Sequence, residues 1–413
     1  MTGPARGAGA SGHTRERFFP MRPTLLHAES SHSQRKCGAV NAWWPTAWGL
    51  NENRGMDTPS FDRQTPPEYH YAAPYSTGPH TAANHAAAND AAEQPWPATE
   101  PRSLILRRIV VFCLFAFGMA WALWFGMLYP MASDSSAPLA SSAVLFLTLG
   151  MFTPALSVIL TRLVTREKTP LAWIRPRQFS RTWPYYVLAW FAPLVAIVAG
   201  AFVYFAVFPQ EFDALSSYFV QTQRAAIHGS VPQSTISDDQ LRAAVWGQLA
   251  LVLIAPVMNF VPCFGEEWGW RGYLLLKLRE VFSMPVTLFV SGVIWGLWHA
   301  PIIALGHNYG TYYPTYPWGG ILAMCVFTTV IGAFLSYVTL RSGSVLPAVF
   351  AHGMINGAAG FGLLFSASFG DPFIGPIPTG ILGGAGLILL GIVSFILLTR
   401  RSPAAQGSEH AQG

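Results

Sequence analysis

From position 109 onward the chain alternates long apolar runs with short polar connections, and the runs are too long and too uniformly apolar to be the one-sided stripes of soluble helices. A helix needs about 20 residues to cross the hydrocarbon core of a bilayer. Runs at 109–129, 139–160, 184–208, 245–276, 285–305, 320–340, 345–365 and 380–398 are read as eight crossings. The fold class predicted is all-α, a polytopic integral membrane bundle of about eight helices. The fourth run exceeds a single crossing, so the membrane covers only part of it.

Residues 1–100 lack helical or strand periodicity and are rich in Pro, Ala, His and Ser, which reads as a disordered cytoplasmic tail. Residues 101–401 form the predicted membrane domain, with its motif core at 245–360, and 402–413 a second disordered tail. Within the first tail an Arg-rich stretch gives way at Met56 to an acidic, Pro-rich one, which suggests that translation starts at Met56. No apolar segment of signal-peptide type precedes the first run.

Composition agrees with a membrane protein: 52% of residues are hydrophobic and 11% charged, where soluble domains carry about 25% charged residues. The net charge of +5 reports topology and does not call for a nucleic-acid partner. Arg102, Arg107 and Arg108 precede the first run, a cluster from Arg162 to Arg181 fills the second connection, and Lys277, Arg279, Arg341, Arg400 and Arg401 continue the alternation, while the intervening connections hold only Arg224 and Arg242. The positive-inside rule places both termini in the cytoplasm, as expected for a bacterial plasma-membrane protein. Cys37, Cys113, Cys263 and Cys325 show no disulfide or zinc spacing. The connection at 209–242 reads as an amphipathic or irregular cap. The Tyr-rich "GHNYGTYYPTYPW" reads as an interfacial aromatic belt, and "GILGGAGLILLG" as a close-packing helix face. No internal repeat of transporter type is evident.

The apolar runs contain few ionisable groups, and an ionisable residue at membrane depth marks function by default. Glu266, Glu267 and Arg271 lie in "CFGEEWGWRGYL", His299 in "VIWGLWHAP", and His352 with Asn356 in "VFAHGMING". At the helical rise of 1.5 Å per residue, His299 sits about 21 Å along its run, His352 and Asn356 about 10 and 17 Å along theirs, and Glu266 about 15 Å from the inner end of its own. These depths fall in one layer. His352 and Asn356 share a helix face, and Glu267 and Arg271 have the i,i+4 spacing of an ion pair, with the acid first. One buried polar pocket, opening toward the cytoplasmic half, is predicted.

E-E-x-x-x-R, then aromatic-x-x-x-H (Trp295 and His299), then H-x-x-x-N, in that order on successive membrane helices, resembles the CPBP family of type II CAAX prenyl endopeptidases and related bacteriocin-processing and immunity proteins. The resemblance covers residues 245–360, with Trp295 where that family usually has Phe. It implies an intramembrane glutamic endopeptidase. Glu266 and His299 would activate water, His352 and Asn356 would donate to the oxyanion, and Glu267 and Arg271 would orient neighbours or substrate, Arg271 by binding a peptide carboxylate. It further implies a peptide or protein substrate, lipidated or not, at the bilayer, and no cofactor. Trp295 and Trp298 otherwise read as packing. The alternatives left open are a zinc site built from Glu266, His299 and His352, although no H-E-x-x-H pair is present, and a non-catalytic immunity or scaffold protein, although no reactive group is missing. A proton-coupled transporter fits the intramembrane acid and histidines but lacks repeats.

Overall fold

The computed structural model describes residues 100–130, 139–168, 172–227 and 236–400. Both predicted tails and the change of character at Met56 fall outside the described residues. Among these residues every regular element is helical, and β pairing is confined to two isolated bridges, Phe212 with Ser366 and Asp371 with Gly375.

Helix α1 (Arg102–Leu123) runs on through a π-helical turn at Trp124–Leu128, and α2 (Leu139–Gly150) and α3 (Thr153–Val164) together fill the second apolar run. Then follow α4 (Phe179–Val207), the short α5 (Ser217–Ile227) and α6 (Asp238–Met258). Helix α7 (Phe260–Gly269) continues through a second π-helical turn, Trp270–Leu274, into α8 (Leu275–Arg279). The remainder comprises α9 (Met284–Trp298), α10 (Ala300–Ile303), α11 (Trp318–Ser342), α12 (Leu346–Ala358) and α13 (Ala385–Thr399).

Six stretches have the length and apolarity of a membrane crossing: Arg102–Leu128, Ala143–Val164, Phe179–Val207, Asp238–Met258, Trp318–Ser342 and Leu346–Phe365. The fifth and eighth predicted spans correct to shorter apolar helices, Met284–Trp298 and Ala385–Thr399. Local chemistry explains both. At His299-Ala300-Pro301 the proline supplies no backbone donor, so α9 stops and a single turn, Ala300–Ile303, restarts with the proline in its first positions. The glycines at 380–384 form a turned loop instead of helix, with Gly384 donating to Gly380 O and Ile381 to Phe373 O. Large apolar side chains such as Phe202 (71% exposed) and Leu389 (64%) face outward, as a lipid environment requires.

The overlong fourth run is two helices, broken at Asn259. Pro256 near the end of α6 and Pro262 in the first turn of α7 prevent continuous backbone bonding between them. Asn259 Nδ2, at the break, donates to Ala255 O on α6 (3.0 Å) and to Gly353 O on α12 (3.3 Å). Irregular backbone at this depth survives only where its polar groups are satisfied.

The two ends of the bundle differ in charge. At the basic end Glu167 is buried: it accepts from Tyr273 Oη at 2.7 Å and pairs with Lys277 Nζ at 3.1 Å, with Arg108 Nε at 3.6 Å and Arg162 Nη1 at 3.9 Å. Charges that read as topology signals in the sequence thus also tie α1, α3 and α8 around one carboxylate. At the other end Arg224 pairs with Asp238, and Arg242 with Asp239. The aromatic connection there is only partly a belt. Trp318 is 75% exposed, but Tyr309 is buried, stacked on Phe373 with ring centroids 5.5 Å apart.

Candidate active site

The break at Asn259 sets the start of α7, and small residues set its position. A β-carbon at Gly265 would lie 2.7 Å from Met151 O, so only glycine lets α7 seat against the α2–α3 junction. That contact turns Glu266 and Glu267 inward, where both are buried. The π-helical turn that follows carries Trp270 and Arg271; such turns are frequent at functional sites because they re-aim side chains.

The two glutamates have separate partners. Glu266 Oε2 accepts from Trp270 Nε1 at 3.1 Å and from Trp295 Nε1 at 2.8 Å. Glu267 Oε1 accepts from Arg271 Nη1 at 3.0 Å and meets His352 Nδ1 at 2.9 Å. Because a carboxylate only accepts, His352 carries a proton on Nδ1 and presents Nε2 to its surroundings. His299 is fixed in the same way: its Nδ1 lies 2.8 Å from Trp295 O, a carbonyl that only accepts. Asn356 Nδ2 reaches Cys263 Sγ at 3.7 Å.

A cavity of about 410 Å³ is lined by Glu266, His299, His352, Asn356, Asn259 and Trp295. Four sequence-predicted groups therefore meet at one space, contributed by α7, α12 and the α9–α10 junction. Glu267 and Arg271 do not line it. Arg271 is 2% exposed, and its guanidinium lies 4.1 Å from the Trp295 ring centroid, so Trp295 separates it from the cavity. The expected contact between Arg271 and a peptide carboxylate is corrected accordingly. No hydrogen bond joins Glu266 to His299 among the described residues.

One further expectation changes. Trp295 is more than packing: besides its bond to Glu266 and its cover over Arg271, its ring stands edge-on to His352 at 5.4 Å. Trp298 does pack, against Trp124, Trp270 and His299, with its indole donating to Ala116 O at 3.3 Å. Indoles count as apolar in a hydrophobic pattern, so their donor role left no trace there. The walls also show at which end of the bundle the pocket lies. Its walls beyond the polar floor come from the far end of α1, from α5 and from the connections around His307 and Thr379, all at the end opposite the basic cluster. Among the described residues, no group of three His, Cys, Asp or Glu side chains has the convergence of a metal site, Glu266, His299 and His352 included.

Residues 247–358 match a family model described as type II CAAX prenyl endopeptidase Rce1-like. This segment is similar to that family. It contains Glu266, Glu267, Arg271, Trp295, His299, His352 and Asn356 together, so the family support falls on the residues that carry the CPBP resemblance. Over 94 residues the chain is 28% identical to CAAX prenyl protease 2 of Methanococcus maripaludis, a match that takes in 22% of this chain. The matched stretch spans about a third of that relative, 34% of its length. No solved structure matches significantly. With its apolar helices, the Rce1-like segment belongs to an integral membrane protein.

Proposed function

We propose that the chain is an intramembrane endopeptidase that cleaves a peptide bond with water activated at Glu266. The observation that carries this reading is the convergence of Glu266, His299, His352 and Asn356 on one cavity, within the segment that resembles CAAX prenyl endopeptidases. Two indole donors hold Glu266 Oε2 and leave Oε1 with no protein hydrogen bond among the described residues. That oxygen takes a proton from water as the water oxygen bonds to the scissile carbonyl carbon, which is general-base catalysis. His299, with Nδ1 committed to Trp295 O, offers the Nε2 lone pair to the same water.

The carbonyl oxygen then bears negative charge. Asn356 supplies an amide N–H, and His352, protonated on Nε2, supplies a second donor; preorganised donors of this kind commonly contribute the largest catalytic effect. Glu267 positions His352 through its Nδ1 and is itself held by Arg271. Collapse of the intermediate breaks the C–N bond, and the proton held by Glu266 passes to the leaving amine. A peptide or protein substrate at the bilayer follows, and whether it carries a lipid is set by the substrate and not by these residues.

The test is cleavage of a panel of quenched fluorogenic peptides by the purified full-length protein in detergent, comparing wild type, Glu266→Gln and His299→Ala with and without a strong chelator. Loss in both variants with no chelator effect supports this mechanism. Chelator-sensitive wild type would move the same residues into a metal mechanism. Undiminished cleavage by both variants would end the catalytic assignment.

A further inference from the structure

The helix break uses only half of the Asn259 amide. Nδ2 commits its two N–H groups to Ala255 O at 3.0 Å and Gly353 O at 3.3 Å. Carbonyl oxygens only accept, so these bonds also fix which way the amide is turned. Oδ1 is left over: it has no protein hydrogen bond among the described residues, and the half-buried side chain that carries it lines the cavity. The position holds an acceptor that the break does not need.

The neighbours of this acceptor are the proposed oxyanion donors. Helices α6 and α12 approach closely at glycine: a β-carbon at Gly357 would lie 2.1 Å from Ala255 Cβ, and one at Gly353 would lie 3.3 Å from Asn259 Cβ. That approach lays Asn259 against the stretch of α12 that carries Asn356 and, one turn earlier, His352. Asn356 Nδ2 in turn lies 3.7 Å from Sγ of Cys263, whose backbone N–H donates to Asn259 O. Donors and an acceptor therefore stand side by side in one wall. In an extended chain the N–H and C=O of one residue point to the same edge, which is how residues of an antiparallel pair exchange two hydrogen bonds. A donor beside an acceptor is the complement of that edge.

Resting on the hydrolytic reading above, we infer that Asn259 is a substrate-binding residue whose Oδ1 accepts the backbone N–H of the residue whose carbonyl is attacked. Asn356 and His352 take that same residue's carbonyl oxygen. The peptide lies extended across the wall, and this recognition falls on its backbone instead of its side chains.

The test removes the N–H without adding bulk. The probe is an octapeptide of Ala, Val and Leu between a fluorophore and a quencher, and mass spectrometry of the products locates the cut. In a second probe an ester replaces the amide whose N–H belongs to the residue before the cut. Wild type should lose about tenfold in kcat/KM on the ester, whereas Asn259→Ala, already slower on the amide, should cut both probes within about twofold of each other. Each ratio is taken within one enzyme, so loss of folded protein does not move it. Should the alanine variant not fold, Asn259→Ser, whose hydroxyl can donate to Ala255 O, is expected to behave the same way. An equal loss in wild type and variant, or no loss in wild type, overturns the assignment, because a purely structural Asn259 would not distinguish the probes. Binding separates this inference from the hydrolytic reading. Each amide of the probe is replaced by an ester in turn, and affinity is measured for Glu266→Gln and for Glu266→Gln/Asn259→Ala. One ester should bind about tenfold more weakly only where Asn259 is present. If wild type cuts nothing while that pattern holds, the hydrolytic reading fails alone; absence of any such position overturns the role of Asn259.

Discussion

Replacing Trp295 with Phe isolates one hydrogen bond on a buried carboxylate. The indole donates to Glu266 Oε2 at 2.8 Å, the shorter of the two bonds on that oxygen, and Trp270 remains at 3.1 Å after the change. A hydrogen bond to a charged group contributes about 1.5–3 kcal/mol, which corresponds to about 10- to 150-fold in rate. Because Trp270 still anchors the oxygen, the lower part of that range is expected, about 10- to 30-fold. The ring volume that covers Arg271 is largely kept by Phe, so KM should change little, while kcat falls and the thermal midpoint drops because a buried carboxylate loses a donor. The assay is initial-rate cleavage of the best quenched peptide together with a detergent thermal scan. Trp298→Phe is the control: its indole bonds only a backbone carbonyl, at 3.3 Å, so it should lower stability slightly and leave kcat near wild type. A Trp295→Phe enzyme within about twofold of wild type in kcat would refute the reasoning, because Glu266 would then be held adequately without that donor.

Three other outcomes follow from the same geometry. Arg271→Ala leaves Glu267 buried and half-paired, and should destabilise the protein by about 3–5 kcal/mol, seen as a lower thermal midpoint and folded yield, with partial recovery in the double variant Glu267→Gln/Arg271→Met. Asn259→Ala removes both side-chain bonds that tie the break to α6 and α12 and should cost about 1–3 kcal/mol in the same scan, whereas a neutral result would mean that the break needs no side-chain donor. His307 lies in the connection after α10, and burial lowers its pKa from 6.5 to about 4, favouring the neutral ring in the folded state. The unfolded chain binds the extra proton first, so this stability is present above pH 6.5 and is lost as pH falls toward 4. The thermal midpoint should drop between pH 7 and pH 5, and His307→Gln should flatten that drop.

What the sequence disclosed follows from the rarity of polar groups in apolar runs. Glu266, Glu267, Arg271, His299, His352 and Asn356 stood out because the apolar runs that hold them contain few other polar groups, and helical rise alone put Glu266, His299, His352 and Asn356 in one layer. The family support then falls on the same segment. Three things were not legible in this way. The break at Asn259 was masked because the run remains apolar through it, although the prolines at 256 and 262 flanking Asn259 were its available signal. The indole donors were hidden by counting Trp as hydrophobic. The placing of the cavity at the end opposite the basic cluster depends on how α5 and the connections around His307 and Thr379 fold over the bundle, which no periodicity encodes.

The Glu167 cluster constrains how the protein is made. Glu167 is synthesised just after α3, but Tyr273 and Lys277, its closest partners, lie more than 100 residues later in the chain. Of its four described partners, Arg108 and Arg162 precede it in the chain, at 3.6 and 3.9 Å in the finished fold. The first two apolar segments therefore insert with their basic flanks already partly neutralised, and the cluster closes only when the segment bearing Glu266 arrives. The basic end of the bundle is therefore locked when α7 and α8 arrive, before His299, His352 and Asn356 are synthesised, so the scaffold that holds Glu266 is in place when the remaining groups of the cavity reach it.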